Sequence, residues 1–537
     1  MQPENRNRRA FCFAVDGLSI ALMTIGLYVF LMQHYPIIYG GDTITRLVNP
    51  DRIMSGHQLP LLQALIYLSL QLHYSPTAIF LLMAFISAAA CMGMYALALV
   101  LTNNRRAAWL VAILYIAHPF ILYYSRVPYQ EPLLLAGIAW GLYFLFRPLT
   151  GVNRLLASLF FAVACLSRYE GWIAAFAAAI FDIWRTREKK GKIGFTSLCQ
   201  SLFLFGWAPA IWIALNKDLS PAGTYVLDLT LQWGRLYRSY FIIKSTLWWT
   251  ESAVVLIALI GFVYSWIDSR RRQDVRFRVL LGMLALLMVV LIFSGHGIEP
   301  NPTRLVTERE AFLPVSILVL YAGIGGDLLV KWIGQIYRQN LLVLRAIPLF
   351  ILIVLAGYSL DSGFHRIDTA NADPDLKTDY EVARYLSEKH SGGLVFAAPL
   401  PEGPMKDYLK SVERWSGPAG RIKAMQLLEQ AETTPLDYQR VLVYSWMGKG
   451  RLISGDRLRG MDLRGIESFL RDQAIGFIIV FSDFTPAAEY EKYILNTYVA
   501  SRAPEAEIHN SRKIGRIYAV RFQPNETKEF QRVRNAQ

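Results

Sequence analysis

From Phe11 to Leu360 the chain is a succession of apolar runs, many near the roughly 20 residues a helix needs to cross the hydrocarbon of a bilayer, separated by short loops. At 54% hydrophobic and 13% aromatic residues over 537 positions, it carries more apolar side chain than one soluble core of that length can use, so much of it must face lipid. After Leu360 the pattern changes to that of ordinary globular sequence. The expectation is an α-helical polytopic membrane domain of about eleven spans over residues 1–360, followed by a soluble α/β domain over 361–537.

The charges give this layout a polarity. A net charge of +14 can signal nucleic-acid binding, but here Lys and Arg cluster in short loops between apolar runs, which is the mark of cytoplasmic loops. The clusters are Arg6 to Arg9, Arg105 with Arg106, Arg147 with Arg154, Arg185 to Lys192, Arg270 to Arg278 and Lys331 to Arg345. The loops between them then lie outside: 33–75, 118–131, 217–244, 294–310 and everything after Asp361. The run from Phe11 to Met32 is too long for a signal-peptide core, so it reads as an uncleaved first span. The N-terminus is expected in the cytoplasm of an inner (plasma) membrane protein, and the C-terminal domain in the periplasm or outside the cell. The four cysteines, Cys12, Cys91, Cys165 and Cys199, all fall in or beside apolar segments, which implies no disulfide framework.

The stretch Leu155 to Trp184 has basic flanks on both sides, so it must leave and re-enter the membrane as a hairpin. Arms of about 13 residues rise only about 20 Å as helix, which places the turn Ser167-Arg168-Tyr169-Glu170-Gly171 below the outer surface of a core about 30 Å thick. Arg168 and Glu170 are costly there unless they line a hydrated cavity together with Tyr169, or pair with each other to hold the hairpin.

Three outer loops carry further polar candidates. The first, 33–75, reads Gly40-Gly41-Asp42-Thr43-Ile44-Thr45-Arg46; Asp42 suits a general base for a hydroxyl acceptor, and equally the N-cap of a following helix. The second holds Arg126 and ends in Glu131-Pro132, where an acid suits the helix dipole and Pro the first turn. Glu131 also serves as a second carboxylate which, with Asp42, can bind a divalent cation or an acceptor. The fourth loop carries Arg304 and Arg309, whose guanidinium forks match a lipid phosphate or snorkel to headgroups. Aromatic residues from Trp233 to Trp249 suit an interfacial belt or sugar stacking. The strand and helix patterns after residue 361, with strands at Gly393 to Ala397, Arg440 to Tyr444, Gly476 to Phe481 and Arg516 to Phe522, include no Gly-rich phosphate fingerprint and no metal-spaced His/Cys cluster.

Together, Asp42 in the first outside loop, Arg126 and Glu131-Pro132 in the second, the Ser-Arg-Tyr-Glu-Gly hairpin and Arg309 before Ala311-Phe312-Leu313-Pro314 resemble the GT-C class of integral membrane glycosyltransferases. Within it the chain looks most like the protein O-mannosyltransferase and aminoarabinose-transferase branch, whose first-loop motif is commonly Asp-Glu; here Thr43 follows Asp42. The resemblance implies an inverting transfer of a sugar from a polyprenyl-phosphate carrier to a hydroxyl of a glycan, lipid or protein at the outer face. Asp42 and Glu131 would be catalytic, Arg126, Arg168, Arg304 and Arg309 would bind the donor phosphate, and Arg46, Tyr169 and Glu170 would line the cavity. A transporter or flippase of lipid-linked sugars is the alternative that intramembrane charge also fits. No nucleic acid is expected as a partner.

Overall fold

The computed structural model describes residues 3–35, 43, 46–47, 59–72, 76–191, 194–215, 243–271, 275–293, 311–336, 343–371, 381, 394–397, 452–454, 465, 468, 475–481, 506–509 and 514–519. The chain divides into two compact units, one of residues 1–36, 50–73 and 77–367, the other of 37–49, 74–76 and 368–537.

The first unit is helical. Its elements are α1 (Pro3–His34), α2 (Pro60–Leu72), α3 (Pro76–Thr102), α4 (Arg105–Ala117), α5 (Pro119–Ser125), α6 (Glu131–Phe146), α7 (Gly151–Cys165), α8 (Glu170–Lys190), α9 (Phe195–Leu215), α10 (Ser252–Arg271), α11 (Val275–Phe293), α12 (Phe312–Ile336) and α13 (Val343–Asn371). Among the described residues, five helices are long and apolar enough to cross a membrane, and six segments if the bent pair α4 and α5 forms one span. Helices α2, α6 and α7 are apolar but shorter. The expected hairpin over Leu155 to Trp184 is present as α7 and α8, turning at 166–169.

Three expectations need correction. The outer segment 118–131 is largely helical, because Pro119 supplies a ready-made first turn and His118 Nδ1 accepts the Phe120 N–H at 3.3 Å. That bond puts the ring proton on Nε2, which lies 3.1 Å from Thr250 Oγ1, and the chain bends by 62° at this point. The first outer loop contains the apolar helix α2, with Leu62, Ile66 and Leu70 buried. The last helix runs on past Leu360 to Asn371.

Ion pairs gather the basic helix ends. Arg105 at the start of α4 grips Asp16 of α1 at 2.5 and 2.6 Å, and Arg106 holds Asp327 of α12 at 2.6 Å. Arg154 of α7 binds Asp182 of α8 at 2.6 Å, and Ser201 of α9 donates to the same carboxylate at 2.7 Å. Arg276 of α11 donates to the Val100 carbonyl near the end of α3, and Arg185 of α8 donates to the carbonyls of Leu145 and Arg147 that close α6. The expected cytoplasmic loops therefore meet at one end of the helical unit.

In the second unit the described residues include a mixed five-stranded sheet of order β2-β1-β3-β5-β4, with β1 Leu394–Ala397, β2 Leu452–Ser454, β3 Ile475–Phe481, β4 Ala506–His509 and β5 Ile514–Ala519. β1 runs parallel to β2 and β3, while β5 is antiparallel to β3 and β4. The expected strands near Gly393, Gly476 and Arg516 are present. β2 and β4 are sheet edges of only three and four residues, too short for a period-2 pattern to stand out, although Ala506-Glu507-Ile508-His509 does alternate. The strand expected at 440–444 and the helices expected at 376–389 and 486–498 lie outside the described residues.

Candidate functional site

Helix α6 starts at Glu131, with Pro132 in its first turn and the carboxylate placed where the helix dipole favours negative charge. Its other end, at Arg147, is tied to Arg185 among the basic loops. A helix of 16 residues is about 24 Å long, so Glu131 sits at the opposite end of the unit. The turn between α7 and α8 reaches that end too. Arg168 Nη1 lies 2.5 Å from Glu131 Oε1, while Nη2 lies 2.7 Å and Nε 3.1 Å from Glu170 Oε1. One guanidinium thus serves two carboxylates from two different helices.

Burial makes this arrangement consequential. The side chains of Glu131, Glu170 and Arg168 are 3%, 13% and 17% exposed. Charged groups in so enclosed a position are expensive unless they are paired, and among the described residues the Arg168 guanidinium pairs with both carboxylates. The hairpin reading as a simple Arg168–Glu170 pair is therefore half of the arrangement; the longer-range half is Glu131.

Backbone packing fixes where these groups stand. A Cβ at Gly137 of α6 would fall 2.6 Å from the Ala164 nitrogen and 2.7 Å from the Phe160 carbonyl oxygen of α7. A Cβ at Gly171 of α8 would collide with the Ala164 carbonyl. Only hydrogen in place of a side chain lets α6 and α8 close on α7 at this level, directly beneath the cluster. Cys165 Sγ donates to the Gly171 carbonyl, and Trp172 Nε1 donates to the Cys165 carbonyl at 3.0 Å, locking the turn.

The segment leading into α2 straps the site. Gln130 Nε2 donates to the Leu59 carbonyl at 3.3 Å, and the Leu61 N–H donates to the Leu166 carbonyl at 3.1 Å. Gln130, next to Glu131, and Leu166, two residues before Arg168, are thus held by one short stretch of chain. Nothing in its local sequence announces this role, because both contacts are backbone carbonyls and amides met at long range.

The remaining expected residues fall as follows. Arg126 is 1% exposed and lies over the Phe80 ring at 5.6 Å, closing α5 in the same unit. Tyr169 is half-buried and stacks edge-on with Trp172 at 5.2 Å. Arg46 is buried and belongs to the second unit. Asp42, Arg304 and Arg309 lie outside the described residues. Among the described residues no three His, Cys, Asp or Glu side chains converge as a metal site; the cation between Glu131 and Glu170 is the Arg168 guanidinium. Of the aromatic segment, Trp248 is exposed, whereas Trp249 is buried against Phe120 and Tyr123 with the Arg366 guanidinium 4.0 Å above its ring. Trp249 is a core residue rather than part of an interfacial belt.

An apolar groove of about 540 Å³ lies between α7 and α9, lined by Leu155, Leu159, Phe203, Trp207 and Ile211 among others. The Trp207 indole donates to Ser158 Oγ at 3.2 Å, so its one polar group is satisfied within the groove wall.

No protein-family model matches the chain, and no curated protein is recognisably similar to it in sequence. Three solved structures show a broad likeness. The apo oligosaccharyltransferase of Archaeoglobus fulgidus aligns at 12% identity and a TM-score of 0.47, over 86% of this chain and 69% of its own. ArnT from Cupriavidus metallidurans, also in the apo state, aligns at 11% identity and a TM-score of 0.47, over 95% of this chain and 98% of its own. The mycobacterial arabinofuranosyltransferase AftD aligns at 14% identity and a TM-score of 0.36, over 95% of this chain and 40% of its own.

Proposed function

We propose that this chain is an integral membrane glycosyltransferase of the GT-C class, which moves a sugar from a polyprenyl-phosphate carrier to an acceptor hydroxyl at the membrane face opposite its basic loops. The observation that carries this reading is the buried Glu131–Arg168–Glu170 cluster at that end of the helical unit.

Sugar transfer from a phosphodiester makes two demands. The acceptor hydroxyl must give up its proton as its oxygen bonds to the anomeric carbon, and the departing phosphate must be stabilised as it takes the electron pair of the broken C–O bond. A carboxylate meets the first and an arginine the second. In this reading Asp42 takes the proton, Glu131 aligns the acceptor, and Arg168 receives the phosphate, with Arg126, Arg304 and Arg309 adding positive charge. Attack opposite the leaving phosphate inverts the anomeric centre. The apolar groove between α7 and α9 suits an isoprenoid chain, which needs shape and no polar partner.

The test is a transfer assay with the full chain in lipid vesicles, a radiolabelled polyprenyl-phosphate sugar and a panel of hydroxyl acceptors. A new glycosidic product is expected, and Asp42→Asn should abolish it while leaving the protein folded and inserted. Label crossing the vesicle membrane with no new bond would replace this reading with transport.

A further inference from the structure

Arg168 holds its two carboxylates by different means. Glu170 is two residues away in the same turn, and it is met by both Nε and Nη2, with Nε 3.1 Å from each of its oxygens. Glu131 is on another helix, and its Oε1 lies 2.5 Å from Nη1. The first contact is local and made through two guanidinium nitrogens, so losing it breaks more than one charged hydrogen bond at once. The second spans two helices, and a rotation of the Glu131 side chain breaks the Oε1–Nη1 bond without moving either helix.

An anion that enters this position meets the Glu131 carboxylate, a like charge, already bound to the Arg168 guanidinium. The guanidinium fork suits phosphate oxygens as well as carboxylate oxygens. Phosphate and Glu131 therefore compete for the same face of the same group. The tight packing of α6 and α8 on Ala164 beneath the cluster keeps the competition confined to side chains, since the backbone at Gly137 and Gly171 has no room to shift toward α7.

We propose that Arg168 changes partners during the catalytic cycle: a donor phosphate oxygen replaces Glu131 on Nη1 while Glu170 keeps its hold on Nε and Nη2. Donor loading thereby frees Glu131 Oε1 from Nη1, and that oxygen accepts a hydrogen bond from the acceptor hydroxyl. The acceptor is aligned only when the donor is present, so binding is ordered, donor first. Glu170 is a positioning residue in this scheme, because it fixes the guanidinium plane without touching substrate. The inference rests on the glycosyl-transfer reading above.

The test measures binding of decaprenyl phosphate to the purified full-length protein in lipid nanodiscs, with decaprenol as the uncharged control. Removing the competitor should tighten phosphate binding: Glu131→Gln and Glu131→Ala are each expected to bind decaprenyl phosphate about tenfold more tightly than the wild type, although both lose transfer. Arg168→Gln should bind it at least about tenfold more weakly, with decaprenol affinity the same in all. Equal or weaker phosphate binding by both Glu131 variants would overturn the exchange and leave Arg168 a fixed strut, with the donor reading intact. If neither the wild type nor any variant binds decaprenyl phosphate more tightly than decaprenol, the exchange and the donor reading fall together.

Discussion

The two ends of the helical unit handle charge in opposite ways. At the basic end each buried carboxylate has at least one cation of its own: Asp16 has Arg105, Asp182 has Arg154, and Asp327 has both Arg106 and Lys331. At the other end one arginine is divided between Glu131 and Glu170. The first pattern joins helix ends and asks for nothing further. The second makes two buried carboxylates share one guanidinium among the described residues, an arrangement that places a cation between two acids from different helices. The contrast teaches which polar groups of a membrane bundle are staples and which are tools.

Substitutions at the two ends should separate along that line. Asp182→Asn strips Arg154 of its counter-charge and should cost about 3–5 kcal/mol of stability, read as a lower thermal midpoint in detergent, with transfer per folded molecule unchanged. Loss of transfer without loss of stability would break the comparison. Gly171→Ala forces a methyl against the Ala164 carbonyl and should cost about 1–3 kcal/mol while also weakening donor binding, since Arg168 stands three residues away. Lys331→Gln is the mildest: Asp327 keeps Arg106 at 2.6 Å and Asn104 at 2.5 Å, and an exposed ammonium contributes at most about 1 kcal/mol.

Much of this was legible in the sequence wherever a signal is local. Glu131-Pro132 marks a helix start by its own chemistry, and basic flanks around Leu155 to Trp184 dictate a hairpin whatever the rest of the fold does. Glu170 beside Arg168 follows from sequence proximity. The bond from Arg168 to Glu131 does not, because it spans 37 positions and no periodicity encodes it. The strap at Leu59 to Leu61 was invisible for a similar reason, being made by backbone groups that every residue carries. The helix over Pro119–Ser125 was hidden by its length, since seven residues are too few to show a helical period. The burial of Trp249 is not legible in sequence, because an aromatic at the end of an apolar run looks the same whether it meets lipid headgroups or a neighbouring ring.

The central claim, that the Glu131 end does chemistry and the basic end does not, is tested most directly by measuring transfer per folded molecule and thermal midpoint together for Glu131→Gln. Transfer is expected to fall about a hundredfold or more, with a midpoint close to that of the wild type, because Arg168 keeps Glu170 as its partner. Wild-type transfer by a Glu131→Gln protein of lowered midpoint would contradict the central claim, and would make Glu131 one more staple.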